Sequence, residues 1–326
     1  MTQQERRRTL VIGAGAVGQC YGLYLAKGGC QVTFFVKPNH AEELADGITV
    51  HRLRRRHTDT DHLTDFEVIT TVDQVAATDW DDVWIAVSTP AMRDESVARV
   101  LAAVGRATVI VLQQDRGNND FISTLVDPSQ VVAAEIAVIS FNSPLPDRPG
   151  PPGTAYFRPS YMRTDICGPH DRVQPLIEAL REGGMPARCV KDVATTTAFR
   201  SGVVYCLIAT VETHDWSIAG LGKSDELRRG LAAARESLAI ASALHPGAVP
   251  RGASLVFRQP LWRLLLPLVV PFQRWAFPFD IEVYLKYHFS KVGLQVRFAI
   301  DDQLAQGEQL DMPVEELRAL RAALKD

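Results

Sequence analysis

Long apolar runs are scarce in this chain. The most apolar stretch, Leu261 to Val270 (LWRLLLPLVV), contains Arg263 and Pro267 and stops at Pro271. That is well short of the roughly 20 residues a membrane-spanning helix needs, so no membrane span is expected. Cysteine is sparse too: five residues (Cys20, Cys30, Cys167, Cys189, Cys206), odd in number, scattered and without CxxC spacing. They argue against a disulfide framework and for reduced thiols in a cytoplasmic protein. Neither sign of charge is in excess, since the net charge is −3, which points neither to nucleic acid nor to an acidic membrane surface. The start, MTQQERRRTL, is charged but has no apolar stretch before the first expected strand, so no secretory leader is expected.

What is present begins at residue 9. Thr9 to Ile12 (TLVI) reads as a buried strand, Gly13-Ala14-Gly15-Ala16-Val17-Gly18 follows, and Gln19 to Lys27 carries apolar residues at helical spacing. In such a strand-turn-helix unit the first glycine permits the tight turn, the second lets backbone approach a pyrophosphate, and the third brings helix close to strand. Helix-start N–H groups then meet the phosphate charge, so a dinucleotide cofactor is expected on Gly13, Ala14, Gly15, Ala16, Val17 and Gly18. The next strand, Gln31 to Val36, lacks the carboxylate that would accept ribose hydroxyls in an NAD site. Lys37 stands there, with His40 close behind, and a cation suits the 2′-phosphate of NADP.

At 326 residues two domains are expected, and 46% hydrophobic with 22% charged residues is ordinary for a globular protein. Gly47 to Leu53 and His62 to Thr70 read as strands joined by the polar turn HTDTD. Further strands are expected at Asp82 to Val87, Thr108 to Leu112, Val131 to Ile139, Tyr156 to Cys167 and Met185 to Val190. Helical patterns lie between them at Ala91 to Val104, Asn119 to Val126 and Asp171 to Glu182, and the proline- and glycine-rich stretch between Ser143 and Pro159 reads as a long loop. Strands alternating with helices predict a mostly parallel, Rossmann-type α/β sheet. From Val193 onward the patterns are helical (Val193 to Ile218, Lys223 to Leu244, Ile281 to Gln306, Pro313 to Lys325), so residues 1–190 are expected to bind NADP and 191–326 to form an all-helical substrate and dimerisation domain.

Together VIGAGAVG, Lys37, AVSTPAM, VIVLQQDRGN, AFRSGVVYCLIA and LDMPVEELRALRAAL resemble the ketopantoate reductase (2-dehydropantoate 2-reductase) family over nearly the whole chain. The resemblance implies reduction of a 2-oxo acid by NADPH lying in a cleft between two domains. The chain departs from the family at reactive positions. Ser88 or Thr89 stands where the family has a lysine, Gln114 where it has an asparagine, and Ser201 at the place of its catalytic lysine. Tyr205 and Ala209 replace two asparagines, and a late glutamate falls near Gly293. Reducing a ketone needs a proton donor and a cation for the neighbouring carboxylate, which a serine hydroxyl does not supply. A carbonyl or imine substrate larger and less polar than ketopantoate is therefore expected; the alternative is a catalytically degenerate NADP-binding sensor or assembly protein.

Ser88, Thr89, Gln113 and Gln114 lie at the carboxyl ends of strands, where open α/β sheets bind ligands. Arg200 could clamp a carboxylate or form a structural ion pair. Tyr284, Tyr287, His288 and Lys291 recur at helical spacings of three and four and are expected to share one face, with His288 and Lys291 as donor and cation. Glu212, His214 and Asp215 could form an acid-base group or merely end a helix. His57, Asp59, Asp61 and His62 resemble metal ligands but read better as a solvated hairpin tip, so no metal is expected. The segment 259–279 packs aromatic residues among four prolines, too many for one continuous helix. It is expected as a lid or pocket wall, with a homodimer surface or a membrane-touching patch as alternatives.

Overall fold

The computed structural model describes residues 6–112, 116–291 and 293–324. It divides into two compact units, Met1–Val193 and Ala194–Asp326. The first unit opens with β1 (Arg8–Ile12), α1 (Ala16–Lys27), β2 (Gln31–Phe35), β3 (Ile48–Leu53), β4 (Thr58–Leu63), β5 (Glu67–Ile69) and α2 (Val72–Ala76). It continues through β6 (Asp82–Ile85), α3 (Thr89–Met92), α4 (Glu95–Ala102), β7 (Thr108–Val111), α5 (Arg116–Ile122), β8 (Val131–Ala134) and β9 (Ile139–Ser143). It closes with β10 (Gly153–Phe157), β11 (Thr164–Cys167), α6 (His170–Glu182) and β12 (Ala187–Cys189).

Eight strands form one sheet in the order β12-β11-β8-β7-β6-β1-β2-β5. Every pairing is parallel except β8 with β11. Strands β1, β6 and β7 are buried on both faces, which is why they read as short continuous apolar runs. The other four strands form a second sheet, β4-β3-β10-β9. Helix α1 packs against β1 and β2 on one side and against β3, β9 and β10 on the other. Seven of its residues are buried, Gly18 and Cys20 to Leu25, so the amphipathic pattern gives way to a helix apolar nearly all round, as a helix between two sheets must be.

The hairpin differs from expectation. Residues 57–61 are no turn: β4 starts at Thr58 and pairs antiparallel with β3 from Ile48↔Leu63 to Leu53↔Thr58. The chain reverses over Arg54 to His57, where the Arg54 N–H donates to the His57 carbonyl at 2.9 Å. Thr and Asp mask the alternation of β4, and the pairing is carried by polar cross-strand contacts, Thr49 with His62 at 3.0 Å and His51 with Thr60 at 2.9 Å. The loop after Ser143 is also shorter than expected, because β10 pairs back onto β9.

Among the described residues the second unit holds helices and no strand: α7 (Val193–Thr213), α8 (Asp225–Leu244), α9 (Ala253–Val256), α10 (Gln259–Ala276), α11 (Ile281–Lys291), α12 (Gly293–Gln309) and α13 (Glu315–Ala323). Ser224 caps α8, accepting from the Leu227 N–H at 3.1 Å, with Asp225 and Glu226 in the first turn. Helix α7 is long and apolar enough to cross a membrane, yet half of its most apolar window is buried. Val203, Cys206 and Ala209 join the unit's core with Leu231, Leu238, Val296 and Leu317, as in the core helix of a globular unit. Helix α10 corrects the sequence reading, since it runs unbroken from Gln259 to Ala276 despite its prolines. Pro260 sits in the first turn, where a missing N–H costs nothing, and an interior proline removes one ladder bond and kinks a helix without always ending it.

Candidate cofactor-binding site

Strand β1 ends in the glycine turn, where the Gly13 N–H donates to the Phe35 carbonyl and the Ala86 N–H to the Ile12 carbonyl, both at 3.0 Å. Gly13 has φ +95°, and a Cβ there would lie 2.6 Å from Val87 Cγ1. A Cβ on Gly18 would lie 2.0 Å from the Gly13 carbonyl oxygen, so this glycine lets α1 start close against the turn. Gly15 is different: a Cβ there would meet no protein atom within 4 Å. Protein packing does not require its lack of a side chain, and the open space lies at the N-cap of α1. First-turn N–H groups of a helix have no intrahelical acceptor, and no acidic side chain occupies that turn. The residues present therefore fit a pyrophosphate, and Gln19 stiffens the cradle: its amide donates to the Ala14 carbonyl at 2.9 Å and accepts from the Thr154 hydroxyl at 2.6 Å.

A cavity of about 410 Å³ opens beside the turn, lined by Gly13, Ala14, Gly15, Gln19, Lys37 and Asp94 among others. Its size falls within the usual range of small-molecule sites. Lys37 leaves β2 exposed, and His40 and Glu43 on the same wall pair at 3.0 Å. Asp94, the N-cap of α4, accepts from the Ser96 N–H at 2.9 Å; that bond, the Ser96 hydroxyl and the charge of Lys37 hold its carboxyl below the usual range. The sequence reading missed Gln19, Glu43, Asp94 and Asn142, which all line this cavity. Their one signal was N-cap chemistry at Asp94, ahead of an apolar helical pattern.

Ser88 is the N-cap of α3. Thr89 is buried, and its hydroxyl accepts from the Asn118 amide at 3.0 Å. Neither lines the cavity. Gln113 and Gln114 lie outside the described residues.

In the second unit Arg200 and Ser201 lie half-buried on α7, and the Ser201 carbonyl accepts from the Gln303 amide at 3.4 Å. The residues expected on one face of α11 split into two pairs. Tyr284 stacks on His288 with ring centroids 5.3 Å apart, while Lys291 donates to the Tyr287 hydroxyl at 2.5 Å on the exposed side. Burial, with the nearby charge of Lys291, pushes the His288 pKa down to about 4, so the imidazole is neutral at neutral pH. Glu212, His214 and Asp215 do not converge. Glu212 accepts from Arg297 at 2.7 Å, His214 faces Glu226 at 3.6 Å, and Asp215 turns the chain at φ +52°. Of the hairpin set, His57 lies 3.3 Å from Asp59, which also pairs with Arg54 at 2.6 Å, while Asp61 pairs with Lys27 at 2.6 Å and His62 meets Thr49 at 3.0 Å.

A doubly wound sheet with a glycine turn at the carboxyl end of β1, followed by a helical unit, defines the class: a Rossmann-type dinucleotide-binding fold with a helical partner unit. Residues 9–146 match the family model described as ketopantoate reductase PanE/ApbA, so the resemblance read from the sequence is supported over those residues. No curated protein sequence matches the chain. Solved structures align along almost all of it. The 2-dehydropantoate 2-reductase from Geobacter metallireducens GS-15 is 18% identical, with a TM-score of 0.69 over 97% of this chain and 98% of that one. A PanE/ApbA family ketopantoate reductase from Ralstonia eutropha JMP134 is 18% identical, with a TM-score of 0.70 over 96% of each chain. D-mandelate dehydrogenase, solved with NADH and anilino(oxo)acetate, is 13% identical, with a TM-score of 0.71 over 97% of this chain and 96% of that one. At these identities the likeness establishes the fold.

Proposed function

We propose that this chain is an NADP(H)-dependent oxidoreductase acting on a C=O or C=N group of a small molecule larger and less polar than ketopantoate. The observation that carries the proposal is the open space at Gly15, beside a cavity that also holds Lys37. The first turn of α1 binds the pyrophosphate through its N–H groups, and Lys37 takes the 2′-phosphate. Bound NADPH supplies the hydride. Arg200 is assigned to a substrate carboxylate or its equivalent. His288, neutral, donates a hydrogen bond that polarises the reacting group, and Lys291 with Tyr287 supplies the proton. The likeness to D-mandelate dehydrogenase, solved with NADH and anilino(oxo)acetate, supports an aromatic 2-oxo acid as one substrate class to test.

A second reading, a cofactor-binding sensor without turnover, draws support from Ser201 at the place of the family's lysine. Calorimetric titration with NADPH and NADH, followed by NADPH-oxidation assays over 2-oxo acids, ketones and imines, separates the two. Tight NADPH binding with turnover supports the enzyme, binding without turnover on any of them supports the sensor, and no binding overturns both.

A further inference from the structure

We propose that the outward face of α10 is a docking surface for an anionic lipid bilayer, on which the protein sits peripherally. Leu261, Leu264, Leu265, Phe272 and Trp275 fall within an arc of about 100° at 3.6 residues per turn, and all are exposed, Leu264 by 71%, Phe272 by 64% and Trp275 by 66%. This stripe is not the one that fixes α10 in its unit. That role falls to Leu266, which is buried, and to Trp262, which stacks on Phe257 and donates to the Val256 carbonyl at 2.7 Å. Leu255 and Val256 on α9 are exposed as well and add to the apolar area. An aligned patch of this kind, with tryptophan and phenylalanine in it, marks an interaction surface.

Charge selects the occupant. Residues 245–279 contain four arginines, Arg251, Arg258, Arg263 and Arg274, and no aspartate or glutamate, in a chain whose net charge is −3. The near-neutral total thus conceals a basic, apolar segment. A second copy docking the same face would bring like charges together, which opposes association. An anionic bilayer complements the exposed Arg251 and Arg258, which lie ahead of α9 and at the N-cap of α10, and an apolar helix face with leucine and aromatic residues beside basic residues is the composition that lies in a lipid interface.

The test uses the full chain and sedimentation with vesicles of phosphatidylcholine containing about one third phosphatidylglycerol, against phosphatidylcholine alone. The expected result is binding to the anionic vesicles that high salt weakens, with a blue shift of tryptophan emission. Leu264→Glu with Trp275→Glu should lower that binding at least about tenfold while leaving thermal unfolding and NADPH affinity unchanged. Arg251→Glu with Arg258→Glu, made separately at exposed positions, should lower it without altering the apolar stripe. Failure to pellet with anionic vesicles at low salt overturns the proposal. So does binding that survives both pairs of changes, or a lipid-free dimer that Leu264→Glu with Trp275→Glu dissociates, which would make a second copy the occupant.

Discussion

The Gln19 side-chain amide donates to the Ala14 carbonyl at 2.9 Å, tying the first turn of α1 back to the glycine loop. Because Gln19 also accepts from Thr154 on β10, the loop is braced against the second sheet. Gln19→Ala removes both bonds, each contributing about 0.5–1.5 kcal/mol. NADPH affinity should fall by about 5-fold, and by no more than about 150-fold if both bonds are lost in full, and calorimetric titration checks it. Unchanged affinity would show that the loop holds its shape without this brace.

Gly15 and Gly18 should separate binding from folding. Gly15→Val projects into open space, so the melting temperature should hold while NADPH binding disappears. Gly18→Ala places a Cβ against the Gly13 carbonyl and should destabilise the unit by more than about 1–3 kcal/mol, the scale of an overpacked core. Thermal unfolding beside fluorescence titration reads both. Retained binding in Gly15→Val would refute the pyrophosphate assignment.

Lys37 and Asp94 both line the cavity; hydrogen bonds from the Ser96 N–H and hydroxyl, and to a lesser extent the charge of Lys37, hold the aspartate carboxyl low, so the two residues set opposing fields around a bound ribose. Lys37→Ala should erase a preference for NADPH over NADH. Asp94→Asn should raise NADPH affinity by about three- to tenfold and leave α4 intact, since asparagine caps helices as well as aspartate. Equal affinity for both cofactors in the parent protein would remove Lys37 from its role.

Legibility followed chemistry. The strands of the main sheet are buried on both faces, so TLVI, DVWI and TVIV declare themselves as apolar runs. TDTDHL does not, because its pairing is polar and Asp is rare in strands. The glycine turn was legible from spacing alone, since Gly13 and Gly18 answer local steric demands and Gly15 leaves open the space at the start of α1. Gln19, Asp94 and Asn142 meet at the cavity from α1, α4's N-cap and β9, a convergence set by sheet topology that no local spacing encodes. The tyrosine–histidine–lysine pattern on α11 foretold contacts but not which residues pair, Tyr284 with His288 and Tyr287 with Lys291.

Arg297 and Glu212 form an ion pair with side-chain exposures of 10% and 16%. Arg297→Met would leave the carboxylate largely buried without its cation, at a cost of about 3–5 kcal/mol and a fall in melting temperature on the order of 10 °C. Adding Glu212→Leu should restore most of the loss, because the uncompensated charge rather than the missing bond causes it. A double-mutant cycle measures this, and a double variant no better than Arg297→Met alone would contradict it.

His288 makes a sign-definite prediction. Its pKa in the folded chain is about 4, below the ordinary 6.5, because burial against Tyr284 and Phe289 and then the charge of Lys291 disfavour the imidazolium. The unfolded chain takes up a proton near pH 6.5 that the folded chain refuses. The stability this histidine contributes is therefore present above that pH and lost as pH falls toward about 4. The full shift corresponds to at most about 3 kcal/mol, reduced by screening at a half-buried ring. His288→Phe keeps an aromatic stack and removes the titration, so its melting temperature should fall less between about pH 7.5 and about pH 5 than that of the parent. Identical slopes in calorimetry would mean that the imidazole is solvated. In that case it would titrate near its ordinary value, and a charged donor at mildly acidic pH would replace the neutral one assigned to the reaction.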